Sequence, residues 1–266
     1  MHKIDTLLSD EIDIALRLRA KKILKELAPR EGEKVLDAGC GWGYYLRFLN
    51  RLWGEKVEIT GLDIEPTSII RAKTEMRGTK TQVVGGDVTK MPFKANSFDK
   101  VILSEVLEHL LDERRALKEI YRVLKPNGYL LISVPNANYP LFWDPVNWFL
   151  QHFFKTHIKE GFWAGIWTNH LRLYTRARIS RLLNESGFKI GEVESLTRWC
   201  LPFNKNLLYG GKLPSKVSRA FMKKLKSPQK TAFIRVILTV VDFFDRINSL
   251  SISKDTGVSI FVKALK

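Results

Sequence analysis

Three glycines and two aspartates near the start of the chain have the types and spacing of a ligand-binding turn. The run Val-Leu-Asp-Ala-Gly-Cys-Gly-Trp-Gly ends an apolar stretch in Asp37. It continues at alternate positions with Gly39, Gly41 and Gly43, residues that let a strand turn sharply and leave the backbone bare. Twenty residues past Gly43, a second strand-like run ends on Asp63, where an acid can reach the ribose of a bound nucleoside. We expect a nucleoside-cofactor site; the glycines alone would also fit a tight turn without a ligand.

The glycine spacing separates cofactor classes. Dinucleotide enzymes favour Gly-x-Gly-x-x-Gly, because the third glycine lets a helix N-terminus meet a pyrophosphate. This chain has Gly-x-Gly-x-Gly, preceded by Asp37 at the end of the apolar run. A carboxylate at that place suits a ligand with an ammonium group and no phosphate, so hydride chemistry is disfavoured.

Further strand-like and helical runs alternate along the chain. Residues 83–87 read as a third strand ending in Asp87, and residues 97–104 as a fourth ending in Ser104. An amphipathic helix closes at residues 119–124, is ended by the turn 125–128, and precedes a fifth strand. This alternation predicts an α/β fold with a doubly wound parallel sheet. Ligands in such sheets lie beyond the carboxyl ends of the strands, where these acids and Ser104 fall.

Five successive motifs resemble one known family. VLDAGCGWG, GLDIE, GGDVTKMPF, FDKVILSEVLEHL and RVLKPNGYLLISVPN are similar to motifs of the Rossmann-like, class I S-adenosylmethionine-dependent methyltransferases. The most similar branch includes the ubiquinone and menaquinone biosynthesis methyltransferases. The resemblance covers residues 31–136 and resumes at 170–195, and it implies S-adenosylmethionine as the cofactor. It also implies a seven-stranded, mostly parallel sheet with an antiparallel edge strand.

The resemblance also implies roles for individual residues. Gly39 and Gly41 would face the methionine part of the cofactor, Asp63 its ribose and Asp87 its adenine. Ser104 would form the wall beside the sulfonium, while Trp42 stands where a smaller residue is usual. The full set of expected cofactor-binding residues is Asp37, Gly39, Gly41, Gly43, Asp63, Ile64, Gly86, Asp87, Val88 and Ser104.

The implied reaction is an in-line displacement at the methyl carbon of a sulfonium, which leaves as a neutral thioether. Alignment of the reacting groups supplies much of the acceleration. A general base is needed only if the acceptor loses a proton, and His170 and His109 are the candidates. Each has a structural alternative: His109 as a structural residue near the pocket and His170 as a hydrogen-bonded brace of its loop. His152 and His157 are weaker candidates that could face solvent.

The composition bounds the class of protein. A chain of 266 residues suits one large domain with insertions. Its two cysteines offer neither a disulfide framework nor a metal-ligand cluster, so we expect a reducing compartment and no metal site. Residues 1–30 carry charges throughout, fit no signal peptide and predict one or two amphipathic helices that cover the active site.

The net charge of +16 is concentrated in one segment. Residues 31–136 hold 16 basic and 15 acidic side chains, whereas residues 196–256 hold 12 basic and 3 acidic ones, a local excess of +9. Within that segment, residues 216–226 and 231–247 have the pattern of basic amphipathic helices that are too polar to span a membrane. Such helices suit an anionic bilayer surface, or they simply pack their apolar faces on the domain.

A second insertion, residues 137–170, is rich in aromatic side chains and should form a lid beside the methyl donor. Its position beside a basic segment suits a bulky apolar acceptor taken from a membrane interface. A small helical subdomain with an ordinary core is the alternative. The aromatic residues are Tyr139, Phe142, Trp143, Trp148, Phe149, Phe153, Phe154, Phe162, Trp163 and Trp167.

We therefore divide the chain into an N-terminal helical cover (1–30), a methyltransferase domain (31–195 and 257–266, with the lid at 137–170) and a basic helical insertion (196–256). The predicted function is methyl transfer to a hydrophobic or lipid-linked small molecule by a cytoplasmic protein at the inner face of the membrane. The alternatives are RNA or a soluble metabolite as acceptor, or a non-catalytic membrane adaptor. No clear nucleic-acid motif is present, and the oligomeric state stays open.

Overall fold

Seven strands form one sheet in the order β3-β2-β1-β4-β5-β7-β6. The computed structural model describes residues 2–11, 13–199, 239–240, 242–248 and 255–266. The strands are β1 (Lys34–Ala38), β2 (Glu58–Asp63), β3 (Gln82–Gly85), β4 (Phe98–Ser104), β5 (Leu124–Pro135), β6 (Lys189–Leu196) and β7 (Ser259–Leu265). The helices are α1 (His2–Leu7), α2 (Ile14–Leu27), α3 (Tyr44–Trp53), α4 (Pro66–Glu75), α5 (Glu113–Val123), α6 (Pro145–Phe154) and α7 (Arg176–Glu185).

The predicted α/β fold is confirmed, with an antiparallel pair at one edge of the sheet. β7 pairs antiparallel with both β5 and β6, and every other pairing is parallel. β7 therefore lies one place inside the edge, and β6 is the edge strand. The helix pattern predicted at residues 216–226, and most of the one at 231–247, lie outside the described residues.

The parallel register brings the carboxyl ends of the first two strands together. Asp37 in β1 lies opposite Gly61 in β2, and Ala38 lies opposite Leu62. Both strands therefore end at the same level, and the turn that follows β1 lies beside the end of β2.

The three alternate glycines of the turn after β1 all have left-handed backbone angles. Gly39, Gly41 and Gly43 have φ values of 82°, 54° and 85°, a region that side chains with a Cβ rarely adopt. The turn is fastened to β2, because the N–H groups of Gly39 and Cys40 both donate to the Leu62 carbonyl, at 2.7 and 2.9 Å. Helix α3 begins immediately afterwards.

The N-terminal helices pack on the sheet, where α2 contacts strands β5, β6 and β7. Asp13 caps α2 by accepting hydrogen bonds from the N–H groups of Ala15 and Leu16. Leu24 and Leu27 are fully buried, and Tyr129 of β5 donates its hydroxyl proton to the Leu27 carbonyl at 2.6 Å. Helix α2 is therefore an integral part of the core.

One local prediction differs from the structure. The turn predicted at residues 125–128 instead forms the first part of β5, which starts directly after α5 at Leu124. Asn127 there has a φ of 65°, so the bend that the Pro-Asn-Gly sequence indicates exists inside a continuous ladder. Among the described residues, no helix is both long and apolar enough to cross a membrane.

Replacing Gly39 by alanine should destabilise the fold more than the same change at Gly32. Both glycines have a φ near 80°, so alanine pays a similar backbone strain at each, about 1–2 kcal/mol. A Cβ at Gly39 would also collide with the Val106 side chain, whereas nothing lies within 4 Å of one at Gly32. We expect Gly39→Ala to lose about 1–3 kcal/mol more in the free energy of unfolding, measured by urea denaturation. Equal losses would contradict the close contact between Gly39 and Val106, which lies in the loop after β4.

Candidate active site

A cavity of about 520 Å³ opens at the carboxyl ends of β1, β2, β3 and β4. Its volume is in the range of small-molecule and cofactor sites, about 300–1,000 Å³. Six of the ten predicted cofactor-binding residues line it. The lining consists of Gly39, Leu62, Asp63, Ile64, Gly86, Asp87, Val88, Thr89, Glu105, Val106, His109, Leu110, Leu111, Asp112 and Arg115.

Asp63 connects the glycine turn to the cavity. Its Oδ2 atom accepts the N–H of Gly41 at 2.7 Å, and its Oδ1 atom accepts the N–H of Glu65 at 2.9 Å. Each carboxylate oxygen can accept a second hydrogen bond, so the side chain can hold the turn and still receive two hydroxyl groups. This geometry agrees with the predicted contact to a ribose.

Asp37 lies beneath the turn and is 1 % exposed. Its Oδ2 atom has no hydrogen-bond partner among the described residues. Burial, with the negative charge of Asp63, raises the pKa of Asp37 to about 7. A buried carboxylate with an oxygen to spare is suited to a cationic ligand group, as its position in the sequence indicated.

The residues that follow β3 form another wall of the cavity. The N–H of Gly86 donates to the Asp63 carbonyl at 2.9 Å, and a Cβ on Gly86 would press on Leu62 and Pro92. Asp87 accepts the N–H of Thr89 at 2.7 Å, which orients its carboxylate. Two apolar side chains at the cavity, Ile64 and Leu111, are 68 % and 89 % exposed, which leaves flat apolar surface for a planar ring.

Four predicted residues lie outside this lining: Asp37, Gly41, Gly43 and Ser104. The Ser104 hydroxyl group is engaged with two others, those of Tyr45 at 3.1 Å and Ser133 at 2.9 Å. Its predicted role beside the sulfonium stays a prediction. Trp42 is 60 % exposed, and the Arg71 guanidinium lies 3.9 Å from its ring centroid, a cation–π contact.

The two histidines predicted to act in catalysis lie together. His109 lines the cavity, and its ring centroid is 5.0 Å from that of His170. The His152 ring stacks on Trp148 and the His157 ring on Trp167, and neither histidine lines the cavity. The structure therefore brings the two leading candidates to one place, and their catalytic roles stay predictions.

Sequence reasoning left two acidic residues after β4 without a role. Glu105 lines the cavity with a φ of 54°, unusual for a residue with a side chain, and forms a salt bridge with Arg19 of α2 at 3.3 Å. Glu108 is fully buried, and burial together with the charge of Glu105 raises its pKa well above the ordinary value. The signal was present in the sequence, as two acids and His109 immediately after a strand that ends at the ligand edge.

The cavity residues fit S-adenosylmethionine. Asp63 and Asp87 line the cavity with oxygens that can accept hydrogen bonds, and Gly39 has no side chain that could block the backbone. Asp37 lies beneath the glycine turn, outside the lining, and its spare oxygen suits an ammonium group.

Comparisons with known proteins point to the same family. Residues 36–132 match the family described as "Methyltransferase domain". A demethylmenaquinone methyltransferase from Staphylococcus aureus is 29 % identical over 186 residues, which cover 66 % of this chain and 76 % of that protein.

Solved structures share the fold. A "SAM dependent methyltransferase" from Aquifex aeolicus has a TM-score of 0.53 and 25 % identity, over 73 % of this chain and 91 % of its own. A phosphoethanolamine N-methyltransferase from Haemonchus contortus, solved with phosphomonomethylethanolamine and S-adenosylhomocysteine, has a TM-score of 0.58 and 20 % identity. That likeness covers 93 % of this chain and 52 % of the other, and it shows the fold alone.

Asp63→Ala should abolish binding of S-adenosylmethionine and leave the fold intact. Hydrogen bonds to a charged group contribute about 1.5–3 kcal/mol each, so losing two should lower the affinity at least about a hundredfold. Isothermal titration calorimetry measures the affinity, and circular dichroism checks the fold. Truncating Glu55, whose side chain is 89 % exposed, is the control and should change nothing. Unchanged affinity in Asp63→Ala would remove the assignment.

Binding of S-adenosylmethionine should weaken as the pH falls below about 7. The cationic ammonium group requires Asp37 to be ionised, and below its pKa the carboxyl group must first lose a proton. We expect the affinity to fall roughly tenfold per pH unit in that range and to level off above it. Asp37→Asn should bind more weakly at high pH and lose this dependence. The same pH profile in both proteins would contradict the role of Asp37.

The strand order, the motifs in sequence and the family match thus agree on one conclusion. The chain is a class I S-adenosylmethionine-dependent methyltransferase.

Proposed function

We propose that this enzyme methylates a hydrophobic or lipid-linked small molecule at the cytoplasmic surface of a membrane. The observation that carries the proposal is an exposed aromatic face on α6, in the lid insertion. The bound cofactor supplies a methyl group on a sulfonium, so the protein has to bring an acceptor atom in line with it and exclude water.

The aromatic face consists of Phe149, Phe153 and Phe154, which are 50 %, 65 % and 64 % exposed. The rings of Phe149 and Phe153 pack against each other with centroids 4.7 Å apart. Large apolar side chains that cluster in solvent favour contact with an apolar partner. The face therefore supports an acceptor or a surface that is itself apolar.

The other side of the lid forms an ordinary core. Tyr139, Trp143 and Trp167 are buried together with Ile14 of α2. The two readings of this insertion, lid and packed subdomain, are thus compatible. The buried core fixes the position of the exposed rings. This supports their role as a contact surface for an apolar partner.

The basic segment supports an anionic partner for the same enzyme. Its three acidic residues pair with cations outside the segment: Asp242 with Arg17, Asp245 with Lys21, and Asp255 with Arg176. The segment carries twelve basic residues against these three acidic ones, so its net charge stays strongly positive. Anionic headgroups attract such charge with about 1 kcal/mol per basic residue near the surface.

The Staphylococcus aureus relative supports a lipid-like acceptor as well, since its name gives demethylmenaquinone as the compound that it methylates. The histidines His109 and His170 lie at the end of β4, next to the cavity that fits the cofactor. We propose that these two side chains act on the acceptor rather than on the methyl donor.

Reversing Arg219, Lys223 and Lys226 to glutamate should release the enzyme from anionic vesicles. Three reversals remove at least about 3 kcal/mol of attraction, so partitioning should fall about a hundredfold or more. Sedimentation with anionic and neutral vesicles at low and moderate salt, with S-adenosylmethionine present, measures this.

The matched control reverses Arg51, Lys73 and Lys118, three exposed cations of the neutral cofactor domain, and should still bind. Equal partitioning of the wild type and the first variant would end the membrane proposal. Salt-dependent binding to RNA, with none to vesicles, would favour a nucleic-acid acceptor instead.

A further inference from the structure

Three side chains that can ligate a metal ion converge beside the cofactor cavity. Glu108, His109 and His170 each offer one ligand atom, and these atoms lie within 4.8 Å of one another. The Glu108 Oε1 atom is 3.8 Å from Nε2 of His109 and 3.9 Å from Nε2 of His170. His109 itself lines the cavity, so the cluster borders the space that the substrates enter.

The backbone holds this cluster in place from two directions. The 3₁₀ turn Leu107–His109 follows β4 and carries Glu108 and His109. The N–H of Leu171 donates to the Glu108 carbonyl at 3.0 Å, which brings the end of the lid, with His170, against that turn.

The tautomer of His109 is set by a backbone carbonyl. Nδ1 of His109 lies 2.8 Å from the Asn169 carbonyl oxygen, which can only accept, so Nδ1 carries a proton. The Nε2 atom of the neutral ring is then a lone-pair donor that points to Glu108. A ligating histidine is typically held in this way, with its other nitrogen donating to a carbonyl.

Glu108 is the member that requires a partner. It is 0 % exposed, and neither carboxylate oxygen has a hydrogen-bond partner among the described residues. Burying a carboxylate without hydrogen bonds or a cation is costly. The Nε2 atoms of His109 and His170 lie 3.8 and 3.9 Å from the Glu108 Oε1 atom, beyond hydrogen-bond distance and at a separation that leaves room for an ion between them.

We propose that Glu108, His109 and His170 bind a first-row transition-metal dication at the wall of the cofactor cavity. Two imidazoles and one carboxylate are a common set for Zn²⁺, Fe²⁺ and related ions, and hard all-oxygen ions such as Mg²⁺ are less suited to it. Bonds of about 2.1 Å in a tetrahedral site place ligand atoms about 3.4 Å apart. The two distances from Glu108 need a contraction of about half an ångström, and the widest pair, within 4.8 Å, needs up to about 1.4 Å.

The site would define how the two histidines act, and in this respect it rests on the proposed function. Three protein ligands leave at least one coordination position free for an oxygen of the acceptor. A bound dication lowers the pKa of such an oxygen acid, which loses its proton to solvent before it attacks the methyl carbon. The acceptor class is then a hydroxyl or enol compound, and His109 and His170 serve as ligands and not as bases.

The sequence predicted no metal site, because its two cysteines offer no metal-ligand cluster. His109 and His170 are separated by the whole lid insertion, and only the fold brings them together.

The test is a titration of the metal-stripped full-length enzyme with Co²⁺, followed by its visible absorption, with Zn²⁺ binding measured by equilibrium dialysis. We expect about one equivalent to bind, displaceable by Zn²⁺. Glu108→Gln and His170→Ala should weaken binding at least about tenfold. His109→Ala is a second variant that should still fold, since the His109 side chain is 40 % exposed.

His152→Ala is the matched control, because His152 is exposed and stacks on Trp148 away from the cluster. Failure of the stripped wild type to bind Co²⁺ while it still binds S-adenosylmethionine would overturn the site. Equal loss of binding in His152→Ala and His170→Ala would also overturn it. Neither readout depends on the acceptor or on vesicles, so the metal site and the proposed function can fail separately.

Discussion

The attachment of the glycine turn to strand β2 is the constraint on which the cofactor pocket depends. Two N–H groups of the turn donate to the Leu62 carbonyl, and a third, that of Gly41, donates to the Asp63 side chain. The turn cannot move without breaking these bonds, and it holds Asp37 buried beneath it. The Asp63 carboxylate, which accepts the Gly41 N–H, also lines the cavity. The local position of the turn and the predicted contact to the cofactor therefore depend on one residue, Asp63, which explains why an acid stands at the end of β2.

A second connection joins the N-terminal helices to the wall of the cavity. Arg19 of α2 pairs with Glu105, whose carboxylate also accepts the Ser133 hydroxyl proton at 3.2 Å. Glu105 keeps a left-handed φ, which costs about 1–2 kcal/mol and persists only where its surroundings impose it. Helix α2 thus shapes the wall of the cavity through Glu105, while the insertion at 137–170 is packed on the same helix through Ile14.

Sequence reasoning succeeded where the signal is local. Short runs of sequence are enough to predict the strands, the glycine turn and the acids at strand ends. The parallel register of the strands then places these acids at one edge of the sheet. It was incomplete where side chains from distant segments meet. The burial of Glu108 depends on the end of the lid closing over it, and the engagement of Ser104 depends on Tyr45 and Ser133, which no spacing rule connects. The contact of Arg71 with Trp42 is of the same kind.

The most direct test of the account is transfer of a labelled methyl group. The full-length enzyme would be incubated with methyl-labelled S-adenosylmethionine and, in parallel, a membrane lipid extract, a soluble metabolite extract and total RNA. The account predicts that the label enters a compound that partitions into organic solvent from the lipid extract alone. Label found in the soluble or RNA fraction, with none in lipid, would contradict it.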